Sequence, residues 1–184
     1  TTKSTQKIFK TESSYLGPIN KKNFFFEEEE IYFPNSSINP YGELEIAFKL
    51  SEDIESINLK SSSFKSLDFF DSIAPAIEIP YSSMDFPESG LHLLIADCCA
   101  SGFLILGLEE KLSEEILNKR LKVLINEIPS EVGDSKNFVF PTEKVLLDIL
   151  IEAKKYNLNL KKGHWISSGG LSKLIELPIN QYFL

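Results

Sequence analysis

The sequence is poor in the residues that build several common kinds of functional site. Among 184 residues it has two cysteines, Cys98 and Cys99, and two histidines, His92 and His164. Adjacent cysteines rarely satisfy disulfide geometry, and two thiols without nearby histidines do not form a zinc site. This cysteine usage favours a reducing compartment, so we expect a cytoplasmic protein.

Basic charge and long apolar runs are also scarce. The chain has 19 Lys and Arg residues against 27 Asp and Glu residues, which gives a net charge of −8. Phosphate binding needs a basic surface, so this balance disfavours nucleic acid as a partner. No apolar stretch reaches the roughly 18 residues that cross a bilayer, so we expect no membrane partner. The sequence also lacks a Gly-rich nucleotide-binding pattern and any sign of a Ser-His-Asp triad.

The residues that are present indicate one globular domain over residues 1–184. Hydrophobic residues make up 42% of the chain and charged residues 25%, which is typical of a folded protein with a single core. Strand patterns outnumber helical ones and show no regular alternation of strand and helix, which predicts an α+β fold.

Local patterns predict the main elements. Strict alternation from Glu43 to Leu50 predicts a strand with one apolar face. We predict further strands at 76–81, 121–128, 165–166 and 171–177. Helical spacing predicts helices at 65–73, 109–117 and 141–156, and turn residues occur at 17–18, 34–37, 129–134 and 162–163.

Glu43 and Glu45 are the first candidate metal ligands. On a strand, residues i and i+2 share a face, so the two carboxylates would lie about 7 Å apart along the chain. That spacing suits two oxygen ligands that converge on one hard cation. The same Glu-x-Glu pattern is also common on the solvated face of an amphipathic strand, and spacing alone favours that interpretation.

Glu78 lies within the apolar segment Ala-Pro-Ala-Ile-Glu-Ile-Pro. If this segment is buried, the carboxylate needs a cation, hydrogen-bond donors or a proton, because an unpaired buried charge is costly. An edge strand with Glu78 facing water is the alternative. Three carboxylates without a histidine would suit magnesium or manganese better than zinc or copper.

Four segments of the chain carry motifs that occur in a fixed order. Residues 40–48 read PYGELEIAF, residues 74–79 read APAIEI, residues 95–102 read IADCCASG with Leu106-Gly107 following, and residues 160–169 read LKKGHWISSG. They are similar to P-R-[VI]-E-x-E-[IL]-A-F, P-A-[IL]-E-[IV], A-D-N-A-S-S-G with L-G, and L-x-x-G-D-x-[IV]-x-T-G. Together they resemble the 2-keto-4-pentenoate hydratase and 4-oxalocrotonate decarboxylase family of the fumarylacetoacetate hydrolase superfamily.

The resemblance implies a fold and a site. The fold would be a rolled mixed β-sheet with flanking helices, truncated at both ends relative to the family, without an N-terminal helical segment and the last strand. The metal ligands would be Glu43, Glu45 and Glu78, holding Mg²⁺ or Mn²⁺. The implied substrate-binding positions are Gly17, Asp97, Ser101, Ser168 and Gly169, and no catalytic residue is assigned.

The resemblance also implies an activity. The chain would be a divalent-metal-dependent lyase, either a hydratase or a decarboxylase, acting on a 2-oxo-alkenoate or a 2-hydroxy-dienoate in aromatic catabolism. Its partners would be a small-molecule 2-oxo acid and other subunits, in a homo-oligomer or in a complex of hydratase with decarboxylase.

Several positions depart from the family's motifs. Tyr15 stands where the family has an acidic residue, Ser83 where it has arginine, and Ala100 where it has serine, while the family's metal-proximal lysine would precede Thr1. These departures favour an alternative, a catalytically impaired paralogue or supporting subunit that keeps the fold and the metal site. A carbon–carbon hydrolase of the same superfamily ranks third, because that branch typically uses a Glu-His pair and an aspartate as third ligand.

Overall fold

A computed structural model describes residues 3–12, 15–27, 31, 40–60, 64–117, 119–133 and 141–177, so the turn predicted at 34–37 lies outside the described residues. The helices are α1 (Lys3–Phe9), α2 (Gly90–Ala96), α3 (Glu114–Leu117) and α4 (Thr142–Lys155). The strands are β1 (Phe24–Phe26), β2 (Tyr41–Leu50), β3 (Phe70–Ile79), β4 (Phe103–Leu106), β5 (Glu110–Lys111), β6 (Leu121–Ile125), β7 (Ile128–Gly133), β8 (Trp165–Ser167) and β9 (Ile175–Glu176).

A mixed sheet forms the centre of the molecule. Its order is β1-β4-β3-β2-β8, with β5 added to β3 and β9 added to β2. Strands β1 and β4 are parallel, and the remaining pairs are antiparallel. Strands β6 and β7 form a separate hairpin. The predicted α+β class is therefore confirmed, with β2 and β3 as the ten-residue pair at the middle of the sheet.

One face of β2 builds the main hydrophobic core. Ile46, Phe48 and Leu50 are almost completely buried, as the alternation of the sequence predicts. Helix α4 covers this face with its own apolar stripe, which consists of Leu146, Ile149, Leu150 and Ala153. This packing removes the apolar sides of both elements from water and fixes the strand in place.

The opposite face of the sheet is lined with small side chains. Ala47, Ala74 and Ala76 are buried there, beside Leu104 and Leu106 of β4. Ile19, Phe24 and Trp165 pack onto this floor. Because alanine occupies little space, the chain around residues 19–24 can approach the sheet closely. The two Glu-bearing strands carry their carboxylates at one end of this face.

Long-range pairing overrides two of the local predictions. The helix predicted at 65–73 is wrong, since only Ser66–Phe69 forms a 3₁₀ turn and β3 begins at Phe70. Phe70 and Ile73 are buried opposite Leu50 and Phe48 of β2, and this burial favours the strand. The helix predicted at 109–117 is confined to Glu114–Leu117.

The turn predicted at 129–134 is also wrong, because residues 128–133 form β7. The chain instead reverses at Asn126 and Glu127, whose φ angles of 49° and 66° are those of a two-residue hairpin turn. The helix predicted at 141–156 is confirmed as α4. Within the described residues, no helix has both the length and the apolar character needed to span a bilayer.

Candidate metal centre

Three glutamates meet at one end of the β2–β3 pair. The antiparallel register places Glu43 of β2 directly opposite Glu78 of β3, and Glu45 lies two residues further along the same face of β2. One carboxylate oxygen from each residue lies within 4.8 Å of the others. The geometry therefore brings three anionic oxygen donors to one point.

Glu45 is the most buried member of this cluster, with 2% of its surface exposed. Its Oε2 accepts a hydrogen bond from the Ser167 hydroxyl and another from the Gly169 amide at 3.2 Å. Its Oε1 is buried and accepts no hydrogen bond from an N–H or hydroxyl group of the described residues. Glu78 is near enough to hydrogen-bond to Glu45 when one of the two carboxyls is protonated. A buried carboxylate oxygen without a donor is costly, so this atom requires a proton or a cation.

The electrostatics of the cluster lead to the same requirement. Burial, together with the nearby Glu45 charge, raises the pKa of Glu43 to about 7. Burial and the charges of Glu45 and Glu43 raise the pKa of Glu78 well above its ordinary value. Burial also raises the pKa of Glu45, against the opposing effect of its hydrogen bonds to Ser167, Gly169 and Glu78. Three clustered carboxylates therefore resist full ionisation unless positive charge is added.

The described residues do not supply that charge as a side chain. None of the ion pairs found in the described part of the chain includes Glu43, Glu45 or Glu78. The donor set fits a hard divalent cation, since magnesium, calcium and manganese are bound mainly by oxygen. Burial and then the charge of Glu78 raise the pKa of the nearby Cys99 thiol to about 11. A soft sulfur donor does not suit these hard cations.

The three glutamates face an open cleft of about 1600 Å³. Aromatic side chains contribute much of its wall. They are Phe9, Tyr15, Phe24, Tyr41, Tyr81, Phe86 and Trp165. Because Glu45 is almost completely buried at the base of this cleft, charge interactions at its carboxylate are stronger than in water. The cleft is large enough to admit a small organic acid.

Gly17 and Ser101 form part of this wall. A Cβ atom on Gly17 would lie 2.0 Å from the Cys98 carbonyl oxygen and 2.1 Å from the Ser101 Oγ, so a side chain here would force the two segments apart. Ser101 donates its hydroxyl to the same Cys98 carbonyl at 2.6 Å. Cys98, Cys99 and Ala100 have φ angles of 53°, 61° and 58°, a conformation that costs about 1–2 kcal/mol per residue. The contact with Gly17 thus holds a strained turn against the cleft.

Ser168 and Gly169 also line the cleft, and Asp97 is not among the residues that do. The Ser168 hydroxyl accepts from the Ile46 amide at 3.2 Å and bonds to the Gly169 carbonyl at 3.1 Å, so it is engaged with backbone. Asp97 ends helix α2, and its Oδ2 is buried without a partner within the described residues. Of the five predicted substrate-binding positions, Gly17, Ser101, Ser168 and Gly169 therefore lie at the cleft.

Ser167 is a site residue that the sequence motifs did not single out. The register of β8 on β2 pairs Ser167 with Ala47, which places the Ser167 side chain on the same face as Glu45. The sequence motif pointed to the next serine, Ser168. Only the pairing of two strands about 120 residues apart shows which serine reaches the carboxylate.

Comparison with known proteins supports the same fold. The amino-acid sequence matches no protein-family model and no curated protein. Among solved structures, it is similar to 4-oxalocrotonate decarboxylase from Pseudomonas putida G7, complexed with calcium and acetate, with a TM-score of 0.75. The match has 16% identity and covers 98% of this chain and 68% of that chain.

Two further structures extend the comparison. A protein from Yersinia pestis CO92 described as belonging to the fumarylacetoacetate hydrolase family matches with a TM-score of 0.65 and 11% identity, over 99% of this chain and 82% of that chain. Fumarylpyruvate hydrolase from Pseudomonas aeruginosa, in complex with Mn²⁺ and pyruvate, matches with a TM-score of 0.57 and 9% identity, over 88% and 67% of the two chains. The chain therefore has the fold of the fumarylacetoacetate hydrolase superfamily, and the resemblance seen in its motifs is confirmed at the level of the fold.

Proposed function

We propose that this chain is a divalent-metal-dependent lyase, a hydratase or decarboxylase, that acts on a 2-oxo-alkenoate or a 2-hydroxy-dienoate. The observation that carries the proposal is the convergence of Glu43, Glu45 and Glu78, with the buried Oε1 of Glu45 unpaired within the described residues. Similar structures hold calcium with acetate, magnesium with adipate, and manganese with pyruvate, which supports a small acid and a divalent cation here.

Glu43, Glu45 and Glu78 would hold Mg²⁺ or Mn²⁺. These ions are hard cations that prefer oxygen ligands, and the cluster contains neither nitrogen nor sulfur donors. When bound, the cation would supply Lewis acidity that polarises a 2-oxo acid and stabilises negative charge developing on its oxygen atoms.

The remaining described residues would shape and shield the site. The floor formed by Ala47, Ala76 and Leu104 excludes water below the carboxylates. Gly17 and the turn at Cys98–Ala100 form a close wall. Such a wall favours a small planar substrate and strengthens its electrostatic interactions in the cleft.

Metal binding can be tested separately from turnover. A double variant, Glu43→Gln with Glu45→Gln, should abolish the rise in melting temperature that Mg²⁺ or Mn²⁺ causes in the intact protein. In the unmodified protein, the ion at 100 times its Kd should stabilise the fold by about 2.7 kcal/mol. Glu109→Gln is a matched control, because this exposed glutamate pairs with Lys49 outside the cluster. An unchanged response in the double variant would contradict the metal site.

Turnover is tested by following the absorbance of a 2-hydroxy-dienoate or a vinylogous 2-oxo acid with added Mg²⁺ or Mn²⁺. Release of CO₂ identifies a decarboxylase, and addition of water without CO₂ identifies a hydratase. Cleavage into two acids would instead assign the chain to the carbon–carbon hydrolases, since maleylpyruvate hydrolase and fumarylpyruvate hydrolase are similar to it in fold. That branch of the superfamily typically uses a Glu-His pair. In this chain His164 lines the cleft, and its Nδ1 accepts from the Lys161 amide.

A second candidate function is a metal-binding subunit without turnover. It is favoured by the side chains at three positions where the family has acidic, arginine and serine residues. In this chain they are Tyr15, Ser83 and Ala100. Tyr15 lines the cleft, but its hydroxyl is hydrogen-bonded to Thr11 at 3.0 Å. Metal-dependent stabilisation without conversion of any such substrate would establish this second function in place of the first.

A further inference from the structure

The two oxygens of Glu45 have different environments. Oε2 accepts from the Ser167 hydroxyl and from the Gly169 amide, so protein donors already occupy this oxygen. Oε1 is also buried, and no N–H or hydroxyl group of the described residues donates to it. Rotation of the carboxylate group would exchange the two oxygens. A fixed hydrogen-bond donor is therefore needed to keep each oxygen in its own environment.

The backbone around Ser167 is well placed to do so. Strand β8 pairs with β2 through Ala47 and Ser167, and the Ser168 amide then donates to the Ile46 carbonyl at 2.9 Å. The Ser168 hydroxyl accepts from the Ile46 amide at 3.2 Å. These bonds hold residues 167–169 against the strand that carries Glu45. The Ser167 hydroxyl therefore approaches the carboxylate from a rigid element.

We propose that Ser167 is a positioning residue, which holds Oε2 of Glu45 and thereby presents Oε1 alone to the divalent cation. The inference rests on the proposed metal site and extends it to a residue that does not touch the ion. The family-like motif draws attention to Ser168, whose hydroxyl is engaged with backbone. The contact with the carboxylate belongs to Ser167.

The expected loss of metal affinity can be estimated from other hydrogen bonds that orient a metal ligand without touching the metal. Hydrogen bonds that orient a metal ligand typically change metal affinity by about 10–100-fold when they are removed. The Gly169 amide remains in a Ser167 variant, so one of the two donors to Oε2 persists. We therefore expect Ser167→Ala to weaken Mn²⁺ binding by about 10-fold, at the lower end of that range. Ser167→Thr keeps the hydroxyl and should restore most of the affinity.

Ser172 provides a matched control. Its hydroxyl accepts from the Leu44 amide of β2 at 3.2 Å and bonds to the Lys173 carbonyl at 2.8 Å, but neither of these hydrogen bonds involves a carboxylate. Ser172→Ala thus removes a serine hydroxyl that bonds to the backbone of β2, and it leaves both hydrogen bonds to Glu45 in place. The Mn²⁺ affinity of the Ser172→Ala variant should stay within about twofold of that of the unmodified protein. This change is much smaller than the one expected on loss of a hydrogen bond to a metal ligand.

The experiment measures the Mn²⁺ dissociation constant of the intact protein from the electron paramagnetic resonance signal of the free ion. Melting temperatures without metal report whether each variant is folded. Weaker binding in Ser167→Ala, with recovery in Ser167→Thr and no change in Ser172→Ala, would support the positioning role. Equal affinity in the unmodified protein and Ser167→Ala, or equal weakening in Ser167→Thr, would overturn it. If the unmodified protein itself does not bind Mn²⁺, the proposed metal site fails first.

Discussion

Leu44 and Glu45, on opposite faces of strand β2, are buried to the same extent but carry opposite chemistry. Leu44 on one face and Glu45 on the other are each 2% exposed. Leu44 packs with Ile77, Val123 and other apolar side chains in a hydrophobic cluster. Glu45 faces two further carboxylates and has one oxygen without a partner within the described residues. The comparison shows that burial of the apolar Leu44 stabilises the fold, whereas equal burial of the Glu45 carboxylate requires a proton, hydrogen-bond donors or a cation.

The magnitudes explain why a single strand can support both faces. Burying a large apolar side chain contributes about 1.5–3 kcal/mol, and β2 buries several against α4 and the β6–β7 hairpin. A buried, unpaired carboxylate costs several kcal/mol unless it is protonated or coordinated. The apolar face therefore offsets the cost of the acidic face, which makes a cation-binding cluster possible at one end of the β2–β3 pair.

The largest loss of stability is expected on the apolar face. Phe48 is fully buried against helix α4 and stacks edge-to-face on Phe70, with ring centroids 5.7 Å apart. Phe48→Ala should lower the free energy of unfolding by about 3–5 kcal/mol, because the cavity cannot be filled by its neighbours. Chemical denaturation measures this loss. A loss below about 1 kcal/mol would contradict the assignment of this face to the main core.

On the acidic face, the conservative substitution Glu45→Gln should raise the free energy of unfolding of the metal-free protein, not lower it. In Glu45→Gln, the amide oxygen can still accept from Ser167 and Gly169, while the new NH₂ group can donate to the clustered carboxylates. We expect the metal-free protein to gain about 1–2 kcal/mol of stability, since a buried acceptor becomes a donor. Denaturation in the presence of a chelator measures this gain. A loss of stability would show that Glu45 is already compensated without metal.

The carboxylates of the acidic face should also make the stability of the metal-free protein depend on pH. The pKa of Glu43 is raised from 4.5 to about 7 in the folded protein, mainly by burial. Between these values the folded state binds more protons than the unfolded state, so stability falls as the pH rises. The melting temperature of the metal-free protein should therefore decrease from pH 5 to pH 8. Glu43→Gln should flatten this slope, and a melting temperature that rises with pH in the unmodified protein would contradict the assignment.

The smallest effect is expected at the other end of the acidic face. Lys49 forms an ion pair with Glu109 at 3.0 Å and lies 5.4 Å from the ring centroid of Trp165, but it is 30% exposed. Exposed pairs of this kind contribute about 0–1 kcal/mol, so Lys49→Met should change the free energy of unfolding by less than 1 kcal/mol. Adding salt should reduce even this difference. A larger loss would place Lys49 among the structurally important residues of the cleft face.

Local sequence patterns were sufficient for the elements whose own periodicity matches their packing. Alternation predicted β2, and helical spacing after Pro141 predicted α4, because each buries one continuous apolar face. The predictions for 65–73 and 129–134 failed where strand pairing decided the conformation. At Phe70 and Ile73, burial against β2 outweighed the local helical spacing.

The sequence by itself determined that Glu43 and Glu45 share a face, because period-two geometry is local to a strand. It also contains the ordered motifs that indicate the fold. Only the tertiary structure decided that Glu78 lies opposite Glu43 and that Glu45 is as deeply buried as Leu44 on the other face of β2. It likewise decided that Ser167, and not Ser168, reaches the carboxylate of Glu45. The physical reason is that the register between distant strands depends on long-range packing, and a shift of one residue would turn each side chain to the other face.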